Sequence, residues 1–288
     1  MTSIYKSAKG REIVQQQYDA LLAQLSGDIE HIYVDTAQGS SFVLAAGKPS
    51  SPTIVFLHGS LSNSITWAND LSYFSKQFRV FAVDIIGEAG KSAESRPTLH
   101  SDANAEWLKE VLDKLNASKA VVVGLSLGGW FALDFSNHFP ERVSGLVLMS
   151  PGGISKNRDV VSWILPYFLL GPWGIKKAYQ KILGPLGREL EDTELSRFLQ
   201  LIPKHVNPRT EDLPIFTDAQ LAAISCPVLL LLGAKDVMVY PEEVRSRLQE
   251  NLQAYDEVYL ENAGHYLGNQ SAQIERFLQK VYIAESSV

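Results

Sequence analysis

The segment Gly124-Leu-Ser-Leu-Gly128 constrains the fold more than any other part of the chain. It follows an apolar, β-branched run that ends at Val123, and a helical pattern begins at Gly129. A glycine two positions before and two after a serine permits a very sharp turn, because a Cβ at either position would clash. Such a turn holds the serine in a strained conformation that costs about 1–3 kcal/mol. The segment therefore predicts a strand, a tight turn and a helix that together present Ser126 as a nucleophile.

Strand and helix patterns alternate along most of the chain. Apolar runs typical of buried strands lie at 53–57, 79–84, 119–123, 143–149, 227–233 and 256–260. Helical patterns lie near 11–25, 66–76, 101–115, 241–252 and 270–283, and a hairpin is expected at 31–35 and 41–46. This alternation predicts an α/β fold whose mostly parallel central sheet carries helices on both faces. In such sheets, ligands bind beyond the carboxyl ends of the strands.

The alternation stops between 152 and 221, where aromatic residues and Pro/Gly breaks are frequent. This stretch predicts several short helices inserted as a cap over the site. The chain is thus expected to form a core from 1–151 and 222–288, with a helical cap insertion at 152–221. Leu61 of the core and Trp163 and Phe168 of the cap are the residues expected to contact the substrate.

Composition and charge limit the classes of molecule that the protein is expected to bind. Net charge is −6, from 26 basic and 32 acidic residues, and the absence of a basic stripe argues against nucleic acid. The sequence shows no apolar run of bilayer length and no signal-peptide pattern at its start, so a cytoplasmic protein without membrane contact is expected. The single Cys226 excludes an internal disulfide, and Gly87-Glu-Ala-Gly-Lys-Ser92 does not fit the spacing of a phosphate-binding loop. No metal or cofactor is expected.

A nucleophilic serine needs a base, and the base needs an acid that orients it. After a turn of this kind, the chain order is serine, acid, histidine. His265 follows the last predicted strand, and Asp236 follows the strand before it. Asp256 and Glu261, on or beside the last strand, are weaker alternatives for the acid. The sequence therefore predicts that Ser126, Asp236 and His265 form the catalytic set.

Donors for a developing oxyanion are predicted in two places. The first is the backbone N–H of Leu127. The second is the loop after the strand that ends at 57, where Ser60 N–H is preferred and Leu61 N–H is the alternative. His58 lies in the same loop but precedes the serine in the chain. A structural role for His58 is expected, with catalysis as the alternative.

Together these segments resemble the α/β-hydrolase family and, within it, bacterial carboxylesterases of the naproxen-esterase type. The segments that carry the resemblance are Val83-Asp-Ile-Ile-Gly87, Gly124-Leu-Ser-Leu-Gly-Gly129, Phe216-Thr-Asp218, Val228–Gly233 and Asn262-Ala-Gly-His265. The resemblance implies an α/β-hydrolase fold and a serine esterase that acts on a small-molecule ester through an acyl-enzyme. The aromatic residues of 152–221 indicate that the ester is apolar. In that group the acid is a glutamate, whereas this chain has Asp236 at the equivalent place.

One fold supports many chemistries, so alternatives stay open at the level of sequence. Hydrolysis of a C–C bond, lactone, amide or thioester would use the same residues. A hydrolase-fold receptor that binds a ligand with little turnover is the alternative from another class. The sequence does not indicate the oligomeric state.

Overall fold

An eight-stranded sheet lies at the centre of the protein. The structure is a computed structural model that describes residues 3–156, 158, 166–167 and 169–285. Its strands are β1 (Glu30–Thr36), β2 (Gly39–Ala46), β3 (Thr53–Leu57), β4 (Arg79–Val83), β5 (Ala120–Leu125), β6 (Val143–Met149), β7 (Val228–Gly233) and β8 (Asp256–Leu260). Each predicted strand is present within one or two residues of its expected bounds.

The strands are arranged in the order β1-β2-β4-β3-β5-β6-β7-β8. β1 and β2 form the predicted hairpin, and β2 also pairs antiparallel with β4. The remaining neighbours are parallel, which confirms the predicted α/β-hydrolase fold with a mostly parallel sheet. The carboxyl ends of β3, β5, β7 and β8 therefore lie along one edge, and the loops that follow them meet there.

Helices cover both faces of the sheet. They are α1 (Ala8–Leu22), α2 (Ala68–Phe74), α3 (Ala103–Lys114), α4 (Leu127–His138), α5 (Gly171–Leu183), α6 (Glu194–His205), α7 (Asp218–Ala222), α8 (Pro241–Asn251) and α9 (Ser271–Glu285). One apolar cluster joins the sheet to α1, α2, α6 and α9, and a second joins it to α3, α4, α7 and α8. Among the described residues, no helix combines the length and the apolar character needed to span a bilayer.

We call residues 152–221 the cap segment. Its described part contains α5, a 3₁₀ turn at Pro185–Leu190, α6 and most of α7. Its last part packs on the core, since the ring centroids of Phe216 and Trp130 lie 5.9 Å apart and Leu221 is buried. Because these residues share an apolar cluster with the sheet, the division into a core and a separate cap stays a prediction.

The N-terminal segment contacts α6 and connects it to the core. Lys6 N–H donates to His205 O at 2.8 Å, at the carboxyl end of α6. The ring of Tyr18, on α1, stacks against that of Phe198, on α6, with centroids 5.9 Å apart. The Tyr18 hydroxyl also donates to the buried Asp84 carboxylate at 3.0 Å, just after β4. Residues 3–22 therefore link one half of the cap segment to the sheet.

Candidate active site

Ser126 stands in the strained turn that the sequence predicts. Its φ of 54° and ψ of −112° are unfavourable for any residue with a Cβ. A Cβ on Gly124 would lie 2.3 Å from Gly128 O, and a Cβ on Gly128 would lie 2.1 Å from Leu57 O. The first contact is the predicted one across the turn. The second arises because the first turn of α4 presses against the end of β3, which also requires glycine.

Asp236 and His265 form a direct pair at the carboxyl ends of β7 and β8. His265 Nδ1 lies 2.8 Å from Asp236 Oδ2. The other oxygen, Oδ1, accepts the N–H of Met238 at 2.7 Å and that of Val239 at 3.3 Å. The carboxylate is thus held in place by the backbone of its own loop. This arrangement leaves His265 Nε2 as the ring nitrogen that does not face the carboxylate.

The environment of Asp236 favours its charged form. Burial of the side chain acts to raise the pKa of the carboxyl group, but His265 and the Met238 N–H outweigh it and hold the pKa below its usual value. An ionised carboxylate can stabilise a positive charge on an adjacent imidazole. The pair is therefore suited to a histidine that gains a proton during a reaction.

The loop that carries His265 packs against the cap segment. His265 N–H donates to Ile182 O, in the last turn of α5, at 3.1 Å. Gly184, which ends α5 with φ of 75°, lies against Gly264 so closely that a Cβ on it would be 2.6 Å from Gly264 Cα. Two glycines are needed for this backbone contact. The position of His265 is consequently tied to the end of α5.

The loop after β3 lies beside Ser126. A Cβ on Gly59 would be 3.6 Å from Ser126 Cβ. Leu61 has φ of 53°, and its N–H donates to Glu88 Oε2 at 2.8 Å. Its N–H is therefore engaged, which leaves the preceding N–H, on Ser60, as the better candidate to face an oxyanion. Leu127 begins α4, so its N–H has no acceptor within that helix.

His58 is fully buried and bound by main-chain groups on both sides. Its Nε2 accepts Ile85 N–H at 2.9 Å, so Nδ1 carries the proton and donates to Gly59 O at 2.8 Å. Burial lowers the pKa of the ring despite the nearby Asp84 carboxylate, so the neutral form is favoured. These contacts favour the structural role expected for His58 over the catalytic alternative.

Of the three residues expected to contact the substrate, the structure describes one. Leu61 lies half-buried, two residues after Gly59, which approaches Ser126, whereas Trp163 and Phe168 lie outside the described residues. Sequence reasoning missed two features of the site. The sequence places Glu88 only in a segment that does not fit a phosphate-binding loop, and no sequence pattern assigns a role to Gly184. A carboxylate within a glycine-rich loop at a strand end was the available signal for the first.

The structure brings a strained serine, a histidine paired with a buried carboxylate and the backbone of Ser60 and Leu127 to one sheet edge, the kinds of group that acyl-transfer sites contain. The family profile described as "Alpha/beta hydrolase family" matches residues 54–279. The chain belongs to the α/β hydrolase family, as the sequence segments indicated.

The chain is similar to bacterial carboxylesterases. It is 32% identical over 268 residues to carboxylesterase YbfK of Bacillus subtilis (strain 168), which covers 88% of this chain and 87% of that protein. It is 28% identical over 283 residues to a protein of the same strain named "Uncharacterized carboxylesterase nap", covering 95% and 93%. The crystal structure of naproxen esterase from Bacillus subtilis superposes with a TM-score of 0.83 at 25% identity, covering 96% of this chain and 99% of that one. These relatives support the prediction of a carboxylic ester hydrolase.

Proposed function

We propose that this protein hydrolyses small carboxylic esters through an acyl-enzyme, with Ser126, His265 and Asp236 as its catalytic residues. The observation that carries the proposal is the 2.8 Å contact between His265 Nδ1 and Asp236 Oδ2, at the same sheet edge as the strained Ser126. The similarity to carboxylesterases supports the class of reaction. The strain at Ser126 supports a functional role for its hydroxyl, because strain of this kind clusters at functional sites.

In the first half of the reaction, Ser126 Oγ attacks the carbonyl carbon of the ester. His265 Nε2 removes the hydroxyl proton, and the ring becomes positively charged. Asp236 accepts a hydrogen bond from Nδ1–H and stabilises that charge without taking the proton. Collapse of the tetrahedral intermediate breaks the bond to the alcohol oxygen, which receives the proton from Nε2. The acyl group stays on Ser126.

In the second half, water replaces the alcohol. His265 removes a proton from the water as it attacks the acyl carbon, and returns that proton to Ser126 Oγ as the acid leaves. In both halves the carbonyl oxygen becomes negatively charged. The backbone N–H groups of Leu127 and Ser60 stabilise that charge, and loss of one such donor typically costs about 10²–10³-fold in rate.

The described surroundings of Ser126 favour an apolar substrate. Gly152 N–H donates to Ser126 O at 3.1 Å, and a Cβ on Gly152 would lie 2.7 Å from Leu213 Cδ1. An apolar side chain of the cap segment therefore lies close to the backbone of Ser126. An apolar acyl or alcohol group would displace water from this region more readily than a charged group would.

The test is covalent labelling by a fluorophosphonate together with hydrolysis of p-nitrophenyl esters of increasing acyl length. Ser126→Ala should lose both labelling and turnover, because it lacks the attacking oxygen. His265→Ala should lose turnover by several orders of magnitude. Labelling and hydrolysis that survive in Ser126→Ala would contradict the proposal.

Two variants control for nonspecific damage. Ser246→Ala removes an exposed hydroxyl that binds Glu250 on α8. His138→Ala removes a second histidine that contacts carboxylates, those of Asp134 and Asp102. His138 ends α4, roughly 18 Å from the turn at Ser126 by helix length. Both variants should keep the labelling and turnover of the unmodified protein.

A further inference from the structure

Glu88 is a buried carboxylate that the mechanism above does not use. It is 1% exposed and lies in the loop after β4. Its Oε2 accepts Leu61 N–H at 2.8 Å across 27 positions of the chain. Burying a carboxylate is costly unless it is paired or hydrogen-bonded, so the contacts of Glu88 indicate what it does in the fold.

The conformation at Leu61 needs such a partner. Its φ of 53° is in the left-handed region, which residues with a Cβ rarely occupy. The hydrogen bond to Glu88 fixes the direction of the peptide between Ser60 and Leu61. This in turn limits the rotations available to Ser60, whose N–H belongs to the preceding peptide. The carboxylate therefore restricts the backbone of the residue that carries the proposed oxyanion donor.

A cation from the cap segment holds Glu88 on its other side. Arg209 Nε lies 4.0 Å from Glu88 Oε1, and the Arg209 side chain is 6% exposed. Arg209 is itself anchored, because its Nη1 donates to Pro97 O at 3.1 Å. The Oε1 atom makes no hydrogen bond to any described group. The carboxylate is thus held by the Leu61 N–H and by the nearby Arg209. Burial raises the pKa of its carboxyl group, an effect that Leu61, the charges of Arg96 and Arg209 and the Ser60 side chain only partly offset.

We propose that Glu88 is a positioning residue that holds the loop after β3 so that Ser60 N–H faces the developing oxyanion, with Arg209 balancing its charge. The inference rests on the proposed function, since it concerns the same reaction. It explains why a carboxylate is buried under the loop that carries Ser60 and Leu61. It predicts that the reach of the carboxylate to Leu61 matters more for turnover than its charge does.

Two substitutions separate the effect of the length of the Glu88 side chain from the effect of its charge. Glu88→Asp keeps the charge beside Arg209 but is one methylene shorter, so it cannot reach Leu61 N–H. Glu88→Gln keeps an oxygen at the same reach but loses the charge. We expect Glu88→Asp to lower kcat by roughly 10–100-fold with KM within threefold, because a displaced donor loses part of its effect on the transition state alone. Glu88→Gln should stay within about fivefold of the unmodified kcat.

Glu211→Met is the matched control. Glu211 also accepts a backbone N–H, that of Leu99 at 3.0 Å, and lies 3.8 Å from an Arg209 nitrogen, but it does not contact the loop. The Glu211→Met variant should be less stable than the unmodified protein and should keep its kcat. All variants are assayed on p-nitrophenyl esters at a temperature where circular dichroism shows them folded.

The reverse order, with Glu88→Gln slower than Glu88→Asp, would overturn the inference and indicate a role for charge alone. A native kcat in Glu88→Asp would also overturn it. Should Glu88→Asp fail to fold, a folded Glu88→Gln that loses more than tenfold in kcat overturns the inference by itself. Activity that persists in Ser126→Ala would instead reject the proposed function, so the two failures are told apart by different variants.

Discussion

Replacing Gly184 by alanine should slow catalysis although Gly184 touches no substrate. Gly184 ends α5 with φ of 75° and ψ of −168°, a conformation that is almost exclusive to glycine. A Cβ placed there would lie 2.6 Å from both the N and the Cα atoms of Gly264. Gly264 directly precedes His265, so the methyl group would push on the loop that carries the proposed base.

The size of the effect follows from that contact. To reach an ordinary contact distance, the two backbones must separate by about 0.8 Å, from 2.6 Å to 3.4 Å. A misplacement of about 1 Å in a catalytic group can cost about 10²-fold in rate. The strained backbone of the alanine variant should also lower its free energy of unfolding by about 1–3 kcal/mol. We therefore expect Gly184→Ala to lower kcat by roughly 10–100-fold.

The assay is steady-state hydrolysis of a p-nitrophenyl ester beside urea denaturation of the same sample. Gly171→Ala is the control, because Gly171 begins α5 with φ of 62° but has nothing within 4 Å of an added Cβ. It should lose stability through backbone strain and keep its kcat. A folded Gly184→Ala variant with native kcat would refute this prediction. It would show that α5 moves away from the added methyl group and that the loop carrying His265 stays in place.

Two further predictions concern stability. Burial raises the pKa of Asp70 to about 6, an effect that the Ser271 hydroxyl only partly offsets. Because the folded pKa exceeds the unfolded value near 4, the free energy of unfolding should fall by about 2 kcal/mol as pH rises from 4 to 6. Asp70→Asn should flatten that slope in urea denaturation, and an unchanged slope would contradict it. Tyr18→Phe removes a donor to the buried Asp84 and should cost about 1–3 kcal/mol in the free energy of unfolding, with kcat within twofold. An unchanged urea midpoint would contradict that prediction.

Much of the fold could be predicted because its signals are local. The buried strands are continuous apolar runs, and β6 and β8 begin and end where the sequence indicated. The turn at Ser126 is defined by glycines only two positions away on each side. The Asp236–His265 pair was predictable from chain order, because parallel strands place their carboxyl ends at one edge.

The start of α1 is an element boundary that local sequence signals did not predict correctly. The sequence placed this helix near 11–25, after Gly10, whereas the structure has it at Ala8–Leu22. The Ser7 hydroxyl accepts Gly10 N–H at 3.0 Å and begins the helix earlier. A Cβ on Gly10 would lie 3.0 Å from His205 Nδ1, so close packing on α6 explains a glycine inside the helix. Tertiary contact here overrides low helix propensity.

The contacts that position the site were beyond sequence reasoning for a similar reason. Glu88 reaches Leu61, and Gly184 touches Gly264, across long intervals of the chain. No periodicity links residues that far apart, and a single glycine or glutamate carries no distinctive pattern. Such contacts become visible only once the strand order brings the loops together.

The link between residues 3–22 and α6 affects how this protein can be recombined with its relatives. A chimera that exchanged only the cap segment would place a foreign α6 against the native Tyr18 and Lys6. The new helix would have to match both a stacking ring and a main-chain donor that it did not evolve beside. The unit of exchange is therefore discontinuous, and a successful crossover would carry the first twenty-two residues together with the insertion.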